Sequence, residues 1–106
     1  TVHFRGADGA TTDVGPAAPQ SYPSHLFVKP TAVQFSATDG ELTYGELFTP
    51  KRPTGCGIVF IHGGKERQML LGFHYMDVYS YLYVFNQYLA SRGCAVLSLE
   101  YRGSLM

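Results

Sequence analysis

The sequence predicts an α/β fold in which an antiparallel hairpin leads into a parallel strand-helix-strand unit, and three observations carry that reading. Two β-branched and aromatic runs flank the turn Thr38-Asp39-Gly40, two short apolar runs end at His62 and at Glu100, and a 3.6-residue apolar period lies between them. Strand, helix and strand in that order call for a right-handed parallel crossover, which places the chain in the α/β class.

Residues 1–30 hold four of the six prolines (Pro16, Pro19, Pro23 and Pro30) among Gly, Ala, Ser and Thr. They show neither a two-residue nor a 3.6-residue apolar period, so they are expected to be a linker or extended segment. From Thr31 the pattern changes. Ala32, Val33, Phe35 and Ala37 precede the Asp-Gly turn, and Leu42, Tyr44, Leu47 and Phe48 follow it before Pro50, which predicts a hairpin.

After the polar connection Lys51 to Gly55, the run Gly57-Ile58-Val59-Phe60-Ile61 has the composition of a strand covered on both faces. Val78, Leu82, Phe85 and Leu89 then recur at four, three and four residues, predicting a helix that buries this face, with Asp77 as N-cap and Gly93 as the C-terminal stop. Cys94-Ala95-Val96-Leu97-Ser98-Leu99 repeats the buried-strand signature and runs into Glu100-Tyr101-Arg102-Gly103. The tyrosines Tyr75, Tyr79, Tyr81, Tyr83 and Tyr88 resemble a stacking platform for bases or sugars, but on a helix they spread around several faces, and helix packing is the better account.

Composition narrows the function classes. The 106 residues are 45% hydrophobic and 15% charged, an ordinary globular balance. Eight Lys and Arg offset eight Asp and Glu, so no net charge draws the chain to nucleic acid or to an anionic membrane surface, and neither is expected as a partner. No apolar run approaches the roughly 20 residues of a membrane span, and the opening TVHFRGADGATTDVGP lacks the apolar core of a signal peptide. The start at Thr1 in place of Met points to an upstream segment, so localisation stays open. Cys56 and Cys94 do not have the spacing of a zinc ribbon or a C-x-x-C redox pair and are expected to be structural thiols. No metal or cofactor is expected.

The first candidate site is the point where the first buried strand stops at His62-Gly63-Gly64. Glycines just past the carboxyl end of a parallel strand let a ligand approach backbone N–H groups closely. The alternative is a tight turn needing positive φ at Gly63 or Gly64, with His62 merely hydrogen-bonded in the loop.

The wider context favours the first. In order, AVQFSATDGELTYGELF at 32–48, Pro50, IVFIHGG at 58–64, Gln68-Met69-Leu70, the helix ending in NQYLASRG at 86–93, and Ala95-Val96-Leu97 leading to Tyr101-Arg102-Gly103-Ser104 resemble the first half of the hydrolase domain of the prolyl oligopeptidase family of serine peptidases, which includes dipeptidyl and acylaminoacyl peptidases. The resemblance spans about residues 30–106 and implies a partial α/β-hydrolase sheet, with residues 31–106 the N-terminal part of that domain. By it, residues 1–30 lead out of a preceding β-propeller, the hairpin forms the first two strands, and residues 57–61 and 94–100 are the third and fourth.

The same resemblance assigns residues. Gly63 and Gly64 match the loop that positions an oxyanion donor, where fixed backbone dipoles stabilise the charge developing on a tetrahedral intermediate. His62 stands where several family members carry a tyrosine whose hydroxyl completes the hole, which is closer to the acylaminoacyl-peptidase-like branch and leaves a backbone donor. Lys65 departs from a frequent proline, and Lys65, Glu66 and Arg67 are expected to form a solvated loop. Arg102 is expected to brace neighbouring loops. The two cysteines precede strands that the resemblance makes parallel neighbours, so their Cα atoms could come within the roughly 4.4–6.8 Å of a disulfide.

A serine hydrolase also needs G-x-S-x-G, an acid and then a histidine. None of Ser21, Ser24, Ser36, Ser80, Ser91, Ser98 and Ser104 has that glycine spacing, and His3, His25, His62 and His74 lie too early in the order and are expected to be surface or loop residues. The chain is therefore expected to carry the oxyanion loop and scaffold but no nucleophile, acid or base. With Met106 as its end, the strand Gly57–Ile61 would be an open edge for the missing C-terminal half or another chain, and the complete enzyme would take a peptide substrate. A non-catalytic module that binds a partner through this open β-edge is the alternative.

Overall fold

The computed structural model describes residues 2–64 and 66–104. The expectations for Thr1, Lys65 and Met106 therefore lie outside the described residues.

Within the proline-rich opening, β1 (His3–Arg5) and β2 (Thr11–Asp13) pair antiparallel as a separate two-stranded sheet. Strands of three residues with every side chain exposed leave no apolar alternation to read. Further on, a 3-10 turn at Ser24–Leu26 delivers Phe27 and Val28 to the main core.

The main sheet begins with β3 (Thr31–Ser36) and β4 (Leu42–Phe48), paired from Thr31↔Leu47 to Ser36↔Leu42. The Asp-Gly turn works as its composition requires. The Gly40 N–H donates to the Ala37 carbonyl at 2.9 Å and Gly40 sits at φ +85°, a left-handed conformation that costs glycine little. Strands β5 (Gly57–Ile61) and β6 (Ala95–Glu100) pair parallel, and β6 pairs antiparallel with β4, giving the order β3-β4-β6-β5. Gly45 on β4 is needed for that contact, because a Cβ there would lie 2.7 Å from the Ser98 carbonyl oxygen.

The single α-helix among the described residues, α1 (Asp77–Ser91), covers one sheet face. The core lies between them, with Phe48, Tyr83, Ala90 and Val96 at its centre and Phe27, Val28, Ile58, Phe60 and Leu89 around it. The helix is turned by one residue from its expected orientation. Its buried positions are Tyr79, Tyr83, Asn86, Gln87 and Ala90, while Val78 and Phe85 are more than half exposed. The cause is that tyrosine and glutamine can be buried when their polar ends find partners. Gln87 Oε1 accepts from Val28 N–H and Gln87 Nε2 donates to the Val28 carbonyl, each at 2.8 Å, and Nε2 also donates to Tyr83 Oη at 2.9 Å. Of the five tyrosines, Tyr79 and Tyr83 pack inward while Tyr75, Tyr81 and Tyr88 face out.

At the start of α1, Asp77 is the first helical residue and Met76 occupies the cap without a side-chain hydrogen bond, so Asp77 is not the N-cap. It still places a negative charge in the first turn, where the helix dipole favours one. The stop at Gly93 is as expected: φ is +95°, its N–H donates to Ala90 O at 3.0 Å and Cys94 N–H donates to Leu89 O at 3.1 Å, the two bonds of a Schellman motif.

Two further expectations are corrected. Cys56 and Cys94 are not free thiols: they form a disulfide with Cα atoms 4.5 Å apart, because the parallel pairing of β5 and β6 sets their preceding residues side by side. And β5 is covered on one face only, since Val59 and Ile61 remain 59% and 60% exposed on the face opposite α1.

Candidate functional site

The site is built where two parallel strands end together. The register Ile61↔Leu99 sets His62, one residue past β5, beside Glu100, the last residue of β6. His62 is buried, its Nε2–H donates to Glu100 Oε2 at 3.1 Å, and the Tyr101 ring stacks on it at 4.7 Å. The other Glu100 oxygen accepts the backbone N–H of Met69. One carboxylate thus ties the head of the loop to its middle.

Gly63 and Gly64 lie on the exposed side of this anchor. Tyr79 Oη, from the first turn of α1, donates to the Gly63 carbonyl at 2.8 Å, and His62 Nδ1 lies 3.4 Å from the same oxygen. In a trans peptide the following N–H points opposite to the carbonyl. Holding the Gly63 carbonyl against Tyr79 therefore turns the Gly64 N–H away from the helix, and it has no hydrogen-bond partner among the described residues. Gly64 itself sits at φ +77°, so the tight turn and the outward amide coexist in one structure.

The rest of the loop folds around His74, which is buried and not at the surface. Its Nε2–H donates to Gln68 O at 3.0 Å while its Nδ1 accepts from Met76 N–H at 2.9 Å, and the Ser80 hydroxyl donates to its carbonyl. Arg67 is half-buried in place of solvated: its guanidinium lies 5.9 Å from the Tyr79 ring centre and reaches Met76 Sδ. Arg102 reaches back to the hairpin turn, where Nη2 donates to Asp39 Oδ2 at 2.6 Å and holds that carboxyl below its ordinary pKa.

Ser104 brings its Oγ to 3.2 Å from His62 Nε2, so serine, histidine and glutamate meet here. They do not form a proton relay. In a nucleophilic triad the acid holds one ring nitrogen and the hydroxyl meets the other. Here Glu100 and Ser104 share Nε2, and its proton is directed at the carboxylate.

On the same sheet face, Glu46 of β4 is also buried, and burial first, then the negative charge of Glu100, push its pKa up to about 7. Ser98, opposite Glu46 in the register, acts in the other direction, although its hydroxyl completes no hydrogen bond of standard geometry.

The structure thus brings His62, Gly63 and Gly64 together at one strand end. Sequence reasoning missed Glu100, Tyr79 and His74. Glu100 had a signal, as a lone charge closing an apolar strand whose parallel neighbour ends in histidine. Tyr79 and His74 had none, since their partners are backbone carbonyl and amide groups.

No protein-family model and no curated protein matches the chain. Solved structures do match. A puromycin hydrolase superposes with a TM-score of 0.67 at 20% identity, and a mutant of a puromycin hydrolase complexed with PGG with 0.63 at 21%, each over 92% of this chain and 14% of the other. A puromycin-hydrolyzing peptidase of Mycobacterium tuberculosis matches with a TM-score of 0.67 at 22% identity, over 92% of this chain and 15% of that one. At such identities the likeness is one of fold, and the chain spans about one-seventh of its neighbours' length. These neighbours are peptidases of the prolyl oligopeptidase family, and this chain has the mixed α/β fold of a part of them, a partial α/β-hydrolase sheet.

Proposed function

We propose that the chain is the N-terminal part of the hydrolase domain of a prolyl-oligopeptidase-like serine peptidase, to which it contributes the oxyanion loop and scaffold. The observation that carries this reading is the Gly63 carbonyl held by Tyr79 with the Gly64 N–H turned outward, at the carboxyl end of a parallel strand. A preset amide dipole at that position stabilises an oxyanion without reorganising. His62 anchors the loop from beneath and does not donate, since its Nε2–H is directed at Glu100. The nucleophile, acid and base come from the C-terminal half of the domain, which completes the sheet at the β5 edge, and the whole enzyme cleaves a peptide through an acyl-serine intermediate.

The test is labelling by a fluorophosphonate probe. The chain alone is expected to remain unlabelled, while co-expression with the polypeptide encoded downstream yields a labelled serine in that polypeptide and peptidase activity. Tyr79→Phe, which releases the Gly63 carbonyl and with it the set of the Gly64 N–H while leaving Gly64 its φ of +77°, is expected to lower acylation by about tenfold. Labelling of the chain alone, or full acylation by the Tyr79→Phe form, would overturn the reading.

A second reading rests on the exposed apolar residues Val59 and Ile61 along the unpaired edge of β5. A non-catalytic module could add a partner's strand there. It is distinguished by saturable binding of a partner with no acylated serine in either chain.

A further inference from the structure

A cavity of about 530 Å³ opens between the β3-β4 hairpin and the loop that follows β5. This is within the roughly 300–1,000 Å³ of small-molecule sites. Ala32, Met69, Leu70 and Leu71 give it apolar walls, Glu46 and Glu100 its acidic groups, and among the described residues no lysine or arginine lines it.

The two carboxylates are in different states. Glu100 has both oxygens engaged, by His62 and by the Met69 N–H. Glu46 is only 7% exposed and lines the cavity, and the Ser98 hydroxyl opposite it completes no hydrogen bond of standard geometry. A buried carboxylate so poorly served by donors is costly, and an incoming group that supplies N–H donors and positive charge relieves that cost. An anion would meet two carboxylates. A metal ion asks for several oxygen donors, and no group of three or more suitable side chains exists among the described residues. The apolar walls ask for a hydrocarbon body.

We infer that this cavity binds a small organic ammonium ion with an apolar body, its head paired with Glu46 and its body against Ala32, Met69, Leu70 and Leu71. The site is separate from the outward amide of Gly64, and Glu100 is the wall between them. The inference does not depend on the peptidase reading.

The test is an NMR titration of the 106-residue chain with phenethylammonium, using the neutral isostere 2-phenylethanol as comparison. Saturable shifts are expected at the amides of 68–71 and 45–46, with the alcohol binding about tenfold more weakly. Glu46→Gln is expected to weaken phenethylammonium to the level of the alcohol. Leu71→Trp, at an exposed wall position, fills the cavity without touching the carboxylate and is expected to abolish both ligands. Equal binding of amine and alcohol, shifts mapping elsewhere, unchanged affinity in both variants, or displacement of the amine by Ca²⁺ would overturn the inference.

Discussion

The two faces of the four-stranded sheet are composed the opposite way from a simple oil-drop picture. The face under α1 buries Glu46, Ser98 and Glu100 beside Phe48 and Val96, with Asn86 and Gln87 on the helix above. The open face presents Val59 and Ile61 to water at 59% and 60% exposure, with Leu97 and Leu99 half-buried beside them. Two of these polar groups hold loops, Gln87 clamping Val28 and Glu100 clamping His62 and Met69, whereas the side chains of Asn86 and Ser98 complete no hydrogen bond among the described residues. The apolar face holds nothing in place, and its side chains are of the type that gains roughly 25 cal/mol per Å² when another layer covers them. The difference teaches that the covered face provides this chain's own order, and that the open face is where association is expected to start.

The largest effects should therefore fall on the covered face. Phe48→Ala is expected to cost about 4 kcal/mol, because it empties the centre of the core, whereas Ile61→Ala on the open face costs less than about 1 kcal/mol. Urea denaturation of both variants checks the contrast, and similar losses would break it. Next is Gly93→Ala, expected to cost about 3 kcal/mol. Its φ is +95° and its Cβ would lie 2.7 Å from the Arg52 carbonyl oxygen, which would loosen the end of α1 that seals this face.

A smaller effect follows from the buried Glu46. Its pKa in the folded chain, about 7, lies above the usual 4.5, so the folded state binds the extra proton between those values. Stability then falls as pH rises from about 4.5 to 7 and levels off above. Glu46→Gln is expected to match the parent at pH 4, exceed it by about 2 kcal/mol at pH 8 after allowance for screening, and flatten the profile between. Denaturation midpoints across that range test this, and a parallel profile in the variant would remove Glu46 as the cause. Smallest in stability is Val59→Lys on the open face, within about 0.5 kcal/mol of the parent. Sedimentation velocity should nevertheless show markedly less self-association, since a lysine on an exposed strand disfavours edge and face pairing. Unchanged association would move the sticky surface elsewhere, to the outer aromatic side of α1.

Much of the architecture was readable because it is local. The Asp39-Gly40 turn, the stop at Gly93 and the strand ends at His62 and Glu100 follow from residues next to one another, where φ preferences and apolar runs act directly. The orientation of α1 was not readable. Counting aliphatic residues selects Val78, Leu82, Phe85 and Leu89, yet each successor, Tyr79, Tyr83, Asn86 and Ala90, is the buried one. What turns the helix is a reciprocal pair of hydrogen bonds between Gln87 and Val28, 59 residues apart, and the bond from Tyr79 to Gly63.

The site divides along the same line. The chain of amino acids already placed His62, Gly63 and Gly64 at the end of a parallel strand, because glycine and the end of an apolar run are signals that need no distant partner. The Cys56–Cys94 pairing, the Glu100 clamp and the direction of the Gly64 amide arise from strand register and from Tyr79 lying over the loop. Hydrogen bonds and disulfides depend on distances of a few ångströms between groups far apart in the chain, and those distances exist once β5, β6 and α1 have packed together.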